Sequence, residues 1–382
     1  MTARRRQKHG GGDDADGDGS RRADDGDIYA KRITRAKKVE SEKAETERVG
    51  LTKRQTAEPA KRPARAVDSS LPLVVVNPTS ADGATGRAWP RLASELRAHF
   101  GAFSVAFTEH GGHAREIAER EARAGRKFLI ACGGDGTVSE VANGILASGA
   151  DAELGLLPSG TGGDFRRTLR VPRRDADAAA ALRTGRTARL DAGRVEFQNW
   201  DGARESRFFV NVASCGMGGE VIRRVKRQGD WLPRALPHAL GGRAAFASAA
   251  VRASLSYERP TVVVSLDGGP ERRLSITNFC VANARYFGGG MKIAPEAKLA
   301  DGRFDVVAVG RLDTPAILAN SYKLYLGTHL GMREVAHALA ARVSVRAAVA
   351  EKILLEVDGE LVGHLPAHFE ILPRALRVRV PV

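Results

Sequence analysis

Two glycine-rich loops hold the residues of this chain best suited to handling a phosphate. In the first, Phe128-Leu129-Ile130-Ala131-Cys132 runs into Gly133-Gly134-Asp135-Gly136-Thr137-Val138-Ser139-Glu140. The apolar run reads as a strand, and the residues after the glycines suit a helix. Glycines let backbone N–H groups approach a phosphate closely, and a helix N-terminus adds partial positive charge there. Asp135 would repel a phosphate unless a divalent cation lay between them. A plain strand-to-helix turn capped by Asp135 is the competing reading, and this loop alone does not choose. The second loop tips the balance. Leu156-Leu157-Pro158-Ser159-Gly160-Thr161-Gly162-Gly163-Asp164-Phe165 again follows a short apolar strand and precedes a helical stretch, Phe165 to Leu169. Two such units in succession place both loops along one sheet edge, as a triphosphate with its metal requires. Neither a Gly-Lys-Ser/Thr phosphate loop nor a protein-kinase catalytic loop occurs. A third polar group, Asp358-Gly359-Glu360, interrupts the alternating run Leu354 to Leu361, where Asp-Gly alone makes a good two-residue hairpin.

The elements that must position these loops fall into two textures. Leu71 to Val76 reads as a buried parallel strand ending in Asn77-Pro78-Thr79-Ser80, Trp89 to Phe100 as a helix, and Phe103 to Thr108 as a second strand. His113 to Ala124 is a second helix, Lys127 to Cys132 a third strand, and Thr137 to Ala147 a third helix. This alternation predicts a doubly wound parallel sheet with its ligands at the strand ends. After about Asp191 strands dominate: Thr261 to Leu266, Phe279 to Asn283, Phe304 to Val309, Ile353 to Val357 and Leu376 to Val380. Asp267-Gly268, Asp301-Gly302 and Asp358-Gly359 read as hairpin punctuation, and Leu240 to Leu255 and Pro315 to Leu326 as helices. The expected fold class is thus an α/β domain followed by a mostly antiparallel β domain. The expected boundaries are a charged, disordered tail over 1–70, a nucleotide-binding domain over 71–195 and a β-rich domain over 196–382, whose last strands return to the first. Asp135 is expected in an exposed loop, where its loss would cost little stability.

The 382 residues allow two domains with their own cores, and no apolar segment is long enough to span a bilayer. Met1 to Asp27 is charged where a secretory leader would be apolar. Cys132, Cys215 and Cys280 sit far apart in apolar runs, which fits buried thiols in a reducing cytoplasm. Residues 1–70 hold 18 Lys/Arg against 13 Asp/Glu, so of the net charge of +15 the remaining chain carries +10. Nucleic acid, a phosphorylated ligand or an anionic membrane would all suit such a surface, and charge alone does not choose among them.

Gly-Gly-Asp-Gly-Thr followed by Pro-x-Gly-Thr-x-x-Asp-Phe resembles the catalytic domain shared by diacylglycerol, sphingosine and ceramide kinases and their bacterial relatives. The resemblance runs in order over roughly residues 71–382. Asn77-Pro78 is similar to the family's first nucleotide-contacting loop, and Thr108 with Gly111-Gly112 to its second. Phe209 to Ser214 resembles the segment opening the second domain, Asn283 to Pro295 with Asp301-Gly302 a stretch of the bacterial members, and Val357-Asp358-Gly359-Glu360 the late acidic motif. The first motif is shared with NAD kinases and phosphofructokinases; the ordered set is far more specific. The resemblance implies an N-terminal domain of the NAD-kinase and phosphofructokinase type with a C-terminal β-sandwich. It implies ATP bound by Asn77, Pro78, Thr108, Gly133, Gly134, Asp135, Gly136, Thr137, Val138, Ser139, Gly160, Thr161 and Asp164, with Asp135 helping to hold a Mg²⁺ ion. It further implies a second, structural Mg²⁺ at Asp301 with carbonyls of Lys298 and Arg303; a simple hairpin turn is the rival. The general base for the lipid hydroxyl would come from the pair Asp358 and Glu360. Gly163 and Ser139 stand where many relatives have Asn, and Ala284 where bacterial members often have Gly, changes expected to lower nucleotide affinity rather than remove chemistry.

The reading at this level is an ATP-dependent lipid kinase acting at the inner face of a membrane. Its expected partners are a lipid substrate and an anionic bilayer rather than nucleic acid, with homodimerisation left open. Arg223, Arg224, Lys226 and Arg227 followed by Trp231-Leu232-Pro233 suit such a surface, a solvated basic helix end being the rival. Glu220 stands where sphingosine-type relatives carry an acid near the amine, which keeps an amino-alcohol acceptor open. An NAD kinase is the nearest enzymatic alternative, disfavoured by the second loop and the late acidic motif. A catalytically weak lipid-binding regulatory protein is the alternative of another class, opposed by the retained Asp135, Asp164, Asp358 and Glu360.

Overall fold

Strand β1 (Leu73–Val76) consists of Leu and three valines, all buried, the pattern of a strand covered on both faces. A computed structural model describes residues 70–160, 162–228 and 259–382, and β1 lies within a parallel group there. It pairs with β2 (Ser104–Phe107) on one side and β3 (Phe128–Gly133) on the other, and β3 pairs with β4 (Glu153–Pro158). The edge position of β2 shows in its half-exposed alternation. The connections are helices α1 (Ala84–His99), α2 (His113–Arg123) and α3 (Asp135–Ser148), as the alternating sequence texture predicts. Helices α2 and α3 cross closely at Gly144, where a Cβ would stand 2.4 Å from the Arg115 carbonyl oxygen. Two shorter helices, α4 (Asp164–Leu169) and α5 (Asp175–Thr184), follow β4.

The chain then becomes antiparallel: β5 (Arg186–Gln198), β6 (Arg204–Phe209), β7 (Val212–Gly216), helix α6 (Met217–Gln228), β8 (Thr261–Leu266), β9 (Arg272–Ser275), β10 (Asn278–Ala282) and β11 (Phe304–Val309). Helix α7 (Thr314–Leu326), capped by the Asp313 carboxylate on the Ala316 N–H at 2.9 Å, leads through one 3₁₀ turn (His329–Gly331) to the last strands. These are β12 (Val335–Ala340), β13 (Arg342–Ala347), β14 (Leu354–Val357) and β15 (Glu360–Val380). Their core is aromatic and aliphatic, with Phe209 stacked on Phe304 at 5.5 Å among Val195, Val343 and Phe369.

Strand β15 ties the two textures together. It pairs antiparallel with β14, β13 and β5, then reaches β4 in parallel at Arg377 and Val378. Arg379 grips the Glu153 carboxylate through two bonds of 2.8 Å and lies over the Phe128 ring.

Asp267-Gly268 and Asp358-Gly359 are tight turns with positive φ at both residues, 51° and 76° in the first, 48° and 89° in the second. Asp358-Gly359 joins β14 to β15 as a two-residue hairpin, whereas Asp267-Gly268 opens the longer link from β8 to β9. The third Asp-Gly pair departs from the sequence expectation. Asp301-Gly302 lies in the long loop between β10 and β11 rather than at a hairpin tip, and the Gly302 N–H is taken by the buried Asp191 carboxylate at 2.7 Å. Strand pairing, which no local dipeptide encodes, decides the difference. All three cysteines are buried and free, and burial pushes the Cys132 and Cys215 thiols up to about 12 and Cys280 well above its usual value. No described helix is long and apolar enough to cross a membrane. The expected helix Leu240 to Leu255, Trp231-Leu232-Pro233, Thr161 and residues 1–69 lie outside the described residues.

Candidate active site

Because β1, β3 and β4 run parallel, their carboxyl ends meet at one edge, and the loops following them interlock there. Ser159 N–H donates to the Gly133 carbonyl at 3.0 Å, Gly134 N–H to the Ser80 hydroxyl at 3.1 Å, and the Asn77 amide to the Thr137 hydroxyl at 3.2 Å. The approach is close enough to demand glycine at two points. A Cβ on Gly160 would lie 2.6 Å from the Gly134 Cα, and one on Gly162 would lie 2.6 Å from a carboxylate oxygen of Asp135. Beside these loops a cleft of about 300 Å³ is lined by Gly133, Gly134, Ser159, Gly160 and the cations Arg166, Arg167 and Arg173.

Asp135 is not in an exposed loop. It is the first residue of α3, and its two oxygens accept the N–H groups of Asp164 at 3.0 Å and Phe165 at 3.2 Å, closing the first turn of α4. The sequence expectation misplaced it because the helix it caps belongs to the other loop. Buried Asp164 accepts from Gly289 N–H at 2.8 Å and from Arg167 at 2.7 Å. Burial, and then the charge of Asp135, push its carboxyl up to about 6.

A second cleft of about 330 Å³ opens on the other side of Asp135, and Asp135 and Gly162 line both. Its walls include Ile222 and Phe287, and its polar end holds Asn211, Ser214, Glu356 and Asp358. Asp358 sits in the β14–β15 turn. One of its oxygens takes the N–H groups of Asn211 (2.9 Å) and Val212 (3.2 Å), the other the Val210 N–H (3.0 Å) and the Ser139 hydroxyl (2.9 Å). A carboxylate has about four lone-pair sites, so these donors fill it. Burial, opposed by those bonds, leaves its carboxyl raised to about 6. Glu360, next but one, points toward the start of α3. Its Oε2 pairs with Arg207 at 2.6 Å, and its Oε1 would stand 4.0 Å from a Cβ on Gly136.

The fold thus brings Asn77, the first glycine loop, Gly160, Asp164, Asp358 and Glu360 to one locality. Ser139 faces the acidic turn through Asp358, and Thr137 packs against Asn77. Buried Thr108 follows β2, its N–H on the Val76 carbonyl at 2.9 Å, and the N–H groups of Gly112 and Ala114 fall to Glu140 of α3. Glu220 is buried on α6 and paired with Arg223. Asp301 lies apart on its loop with exposed Lys298 and Arg303, its carboxylate taking the Arg303 N–H at 3.2 Å.

Two features escaped the sequence reading. The arginines Arg166, Arg167 and Arg173 follow the second loop closely, a run of charge that signals an anion pocket only once the cleft is seen. Glu356 is an acid inside an apolar strand, buried beside Ser214, whose hydroxyl it accepts at 2.6 Å. That mismatch between residue and strand was the available signal.

Comparison with known proteins agrees with this fold. Residues 72–195 match the diacylglycerol kinase catalytic domain family, and residues 213–380 match the YegS C-terminal NAD kinase beta sandwich-like domain. The chain is 32% identical to a diacylglycerol kinase of Bacillus subtilis over 275 residues, covering 72% of this chain and 84% of that protein. It is 31% identical to a diacylglycerol kinase of Mycobacterium tuberculosis over 310 residues, covering 80% and 94%. A solved diacylglycerol kinase structure from Bacillus anthracis shares the fold with a TM-score of 0.59 at 21% identity, covering 81% of this chain and 96% of that one.

Proposed function

The chain belongs to the diacylglycerol kinase catalytic domain family, and on that premise we propose that it transfers the γ-phosphate of Mg-ATP to the hydroxyl of diacylglycerol or a related lipid. The observation that carries this reading is that two clefts meet at Asp135 and Gly162. The first, with its glycine loops and arginines, suits the polyphosphate; the second, with Ile222 and Phe287 on its walls and carboxylates at its end, suits a lipid hydroxyl.

The donor set fits a divalent cation at Asp135. Asp135 and Asp164 repel one another enough to help raise the Asp164 carboxyl, and a hard cation between them and the phosphates would relieve that repulsion. When bound, Mg²⁺ would neutralise charge on the phosphates. The chain's own residues do the rest. The loop N–H groups and Arg166, Arg167 and Arg173 hold and orient the nucleotide. The lipid oxygen bonds to the γ-phosphorus as the bond to the departing ADP oxygen breaks, and the hydroxyl proton passes to a carboxylate. Within the Asp358/Glu360 pair, Asp358 is filled by four protein donors and anchors the turn. Glu360 keeps Oε1 beside the start of α3 and is the proton acceptor. Glu220, on the helix that supplies Ile222 to the lipid cleft, is assigned to the acceptor's head group. A second Mg²⁺ is assigned to the Asp301 loop, where Glu296 and Asp305 add negative charge. The enzyme would meet its substrate peripherally on an anionic membrane face.

Incubation with labelled ATP and a panel of diacylglycerol, ceramide, sphingoid base and phosphatidylglycerol, with NAD as control, tests this. Labelled phosphate should appear on at least one lipid. Label on NAD alone, or on nothing, would overturn the assignment.

A further inference from the structure

Glu356 is a buried carboxylate with no part in the reaction described so far. It lies on β14 opposite Ser214 of β7, on the sheet face turned toward the lipid cleft, while its neighbours Leu355 and Val357 fill the sandwich core. One oxygen accepts the Ser214 hydroxyl at 2.6 Å, and the other accepts the Gly359 N–H at 2.5 Å. Gly359 is the residue between Asp358 and Glu360, at φ 89°, in a turn whose two central residues are both left-handed. Asp-Gly suits such a turn, and what fastens its two residues sets where the turn, and the side chain after it, stands. Asp358 is fastened from one side by Ser139 and the N–H groups of Val210, Asn211 and Val212; Gly359 is fastened from the other by Glu356.

We propose that Glu356 is the positioning residue of this site, its carboxylate fastening Gly359 and thereby fixing where Glu360 stands for proton transfer. The inference rests on the kinase reading and deepens it. An ionised carboxylate holds a backbone N–H more strongly than a neutral one does. Burial, and then the charge of Asp358, push the Glu356 carboxyl up to about 7, so its grip on the turn changes across neutral pH. Among the described side chains, the titratable and charged groups on the surrounding elements include Asp358 and Glu360 on its own hairpin, Cys280 on β10 and, on the opposite face of β7, Cys215. Others are Arg207 on β6, the Glu220–Arg223 pair on α6, and Asp135 and Asp164 across the cleft.

The test compares wild type, Glu356→Gln and Glu356→Ala in steady-state kinetics with Mg-ATP and detergent-dispersed diacylglycerol from about pH 5 to about pH 9, a span covering carboxylate ionisations raised toward neutral. Amide hydrogen exchange at Gly359 is followed in parallel. Glu356→Ala frees the turn, and a base misplaced by about 1 Å costs about 100-fold in kcat, with the KM for Mg-ATP unchanged. Loss of the charge-assisted bond should speed Gly359 exchange about tenfold or more. Glu356→Gln keeps an acceptor for Gly359, so it should restore most of the turnover below neutral pH. It should also lack the rise in kcat that wild type gains as Glu356 ionises. Unchanged kcat and Gly359 exchange in Glu356→Ala would overturn the proposal, as would a Glu356→Gln pH profile matching wild type. Should Glu356→Ala not fold, the Glu356→Gln profile decides. Should wild type phosphorylate no lipid, the kinase reading fails, while Gly359 exchange in Glu356→Ala still decides whether Glu356 fastens the turn.

Discussion

Replacing Asp135 by Ala separates the two roles that the fold gives this side chain. As a cap, its carboxylate satisfies the N–H groups of Asp164 and Phe165 at 3.0 and 3.2 Å. Losing such a cap typically costs about 0.5–2 kcal/mol. For a fold of this size that corresponds to roughly 2 °C in Tm per kcal/mol, so a fall of about 1–4 °C is expected without nucleotide. As the proposed cation holder, Asp135 also governs nucleotide binding. Wild type at about 100 times Kd of Mg-ATP should gain about 2.7 kcal/mol, or roughly 5 °C, and the variant should lose most of that gain. Its kcat should fall by at least about 100-fold, the scale for removing one preorganised electrostatic contact to a transition state. Asp135→Asn, which retains one oxygen for an N–H, should recover part of the Tm but little of the turnover. Differential scanning fluorimetry with and without Mg-ATP, beside labelled-phosphate kinetics, reads all three quantities. An Asp135→Ala protein that melts like wild type would refute the capping argument. One that turns over at a near-normal rate would refute the assignment of Asp135 to the chemistry.

Glu360→Gln should lower kcat by about 2 to 4 decades with the KM for Mg-ATP nearly unchanged. Its Tm should barely move, because the Arg207 pair of this part-exposed side chain contributes only about 0–1 kcal/mol; a Glu360→Gln enzyme as fast as wild type would return the base to Asp358. Stability should fall as pH rises from about 4, the unfolded carboxylate value, through the raised folded values of about 6 for Asp164 and Asp358 and about 7 for Glu356. The sign follows because each folded carboxyl keeps its proton longer than the unfolded one, so the protonated state favours folding and that advantage is lost on ionisation. Melting curves across this range check it, and Glu356→Gln should flatten the upper part. Asp301→Ala should leave turnover at saturating Mg²⁺ within about twofold while removing a Mg²⁺-dependent gain in Tm, the behaviour of a cation bound only to the folded state.

The sequence by itself determined the edge proposed to handle phosphate. Apolar runs closed by Gly133-Gly134-Asp135 and by Ser159-Gly160 could be placed as strand–loop–helix units, because period, glycine and helix start are all encoded within a dozen residues. The same local coding made Asp267-Gly268 and Asp358-Gly359 legible as hairpins, and the family resemblance supplied the expectation of a sandwich behind them. Tertiary structure alone decided what depends on residues far apart in the chain. Asp301-Gly302 carries the same dipeptide signal as the true hairpins, yet it lies in a loop whose Gly302 N–H goes to Asp191, a partner 111 positions away. Strands β5, β6, β9, β12 and β13 were not legible, since their short or polar-rich runs become strands only when partners distant in sequence or otherwise unmarked offer edges: β15 for β5 and β13, β8 for β9 and β13, β11 for β12, and β5 for β6. Asp135 read as a loop acid because the helix it caps begins 29 residues later. The proposed choice of Glu360 over Asp358 as the base was closed to sequence for the same reason. It depends on which lone pairs are already taken, and the donors that fill Asp358 come from Ser139 on α3 and from the Val210–Val212 backbone.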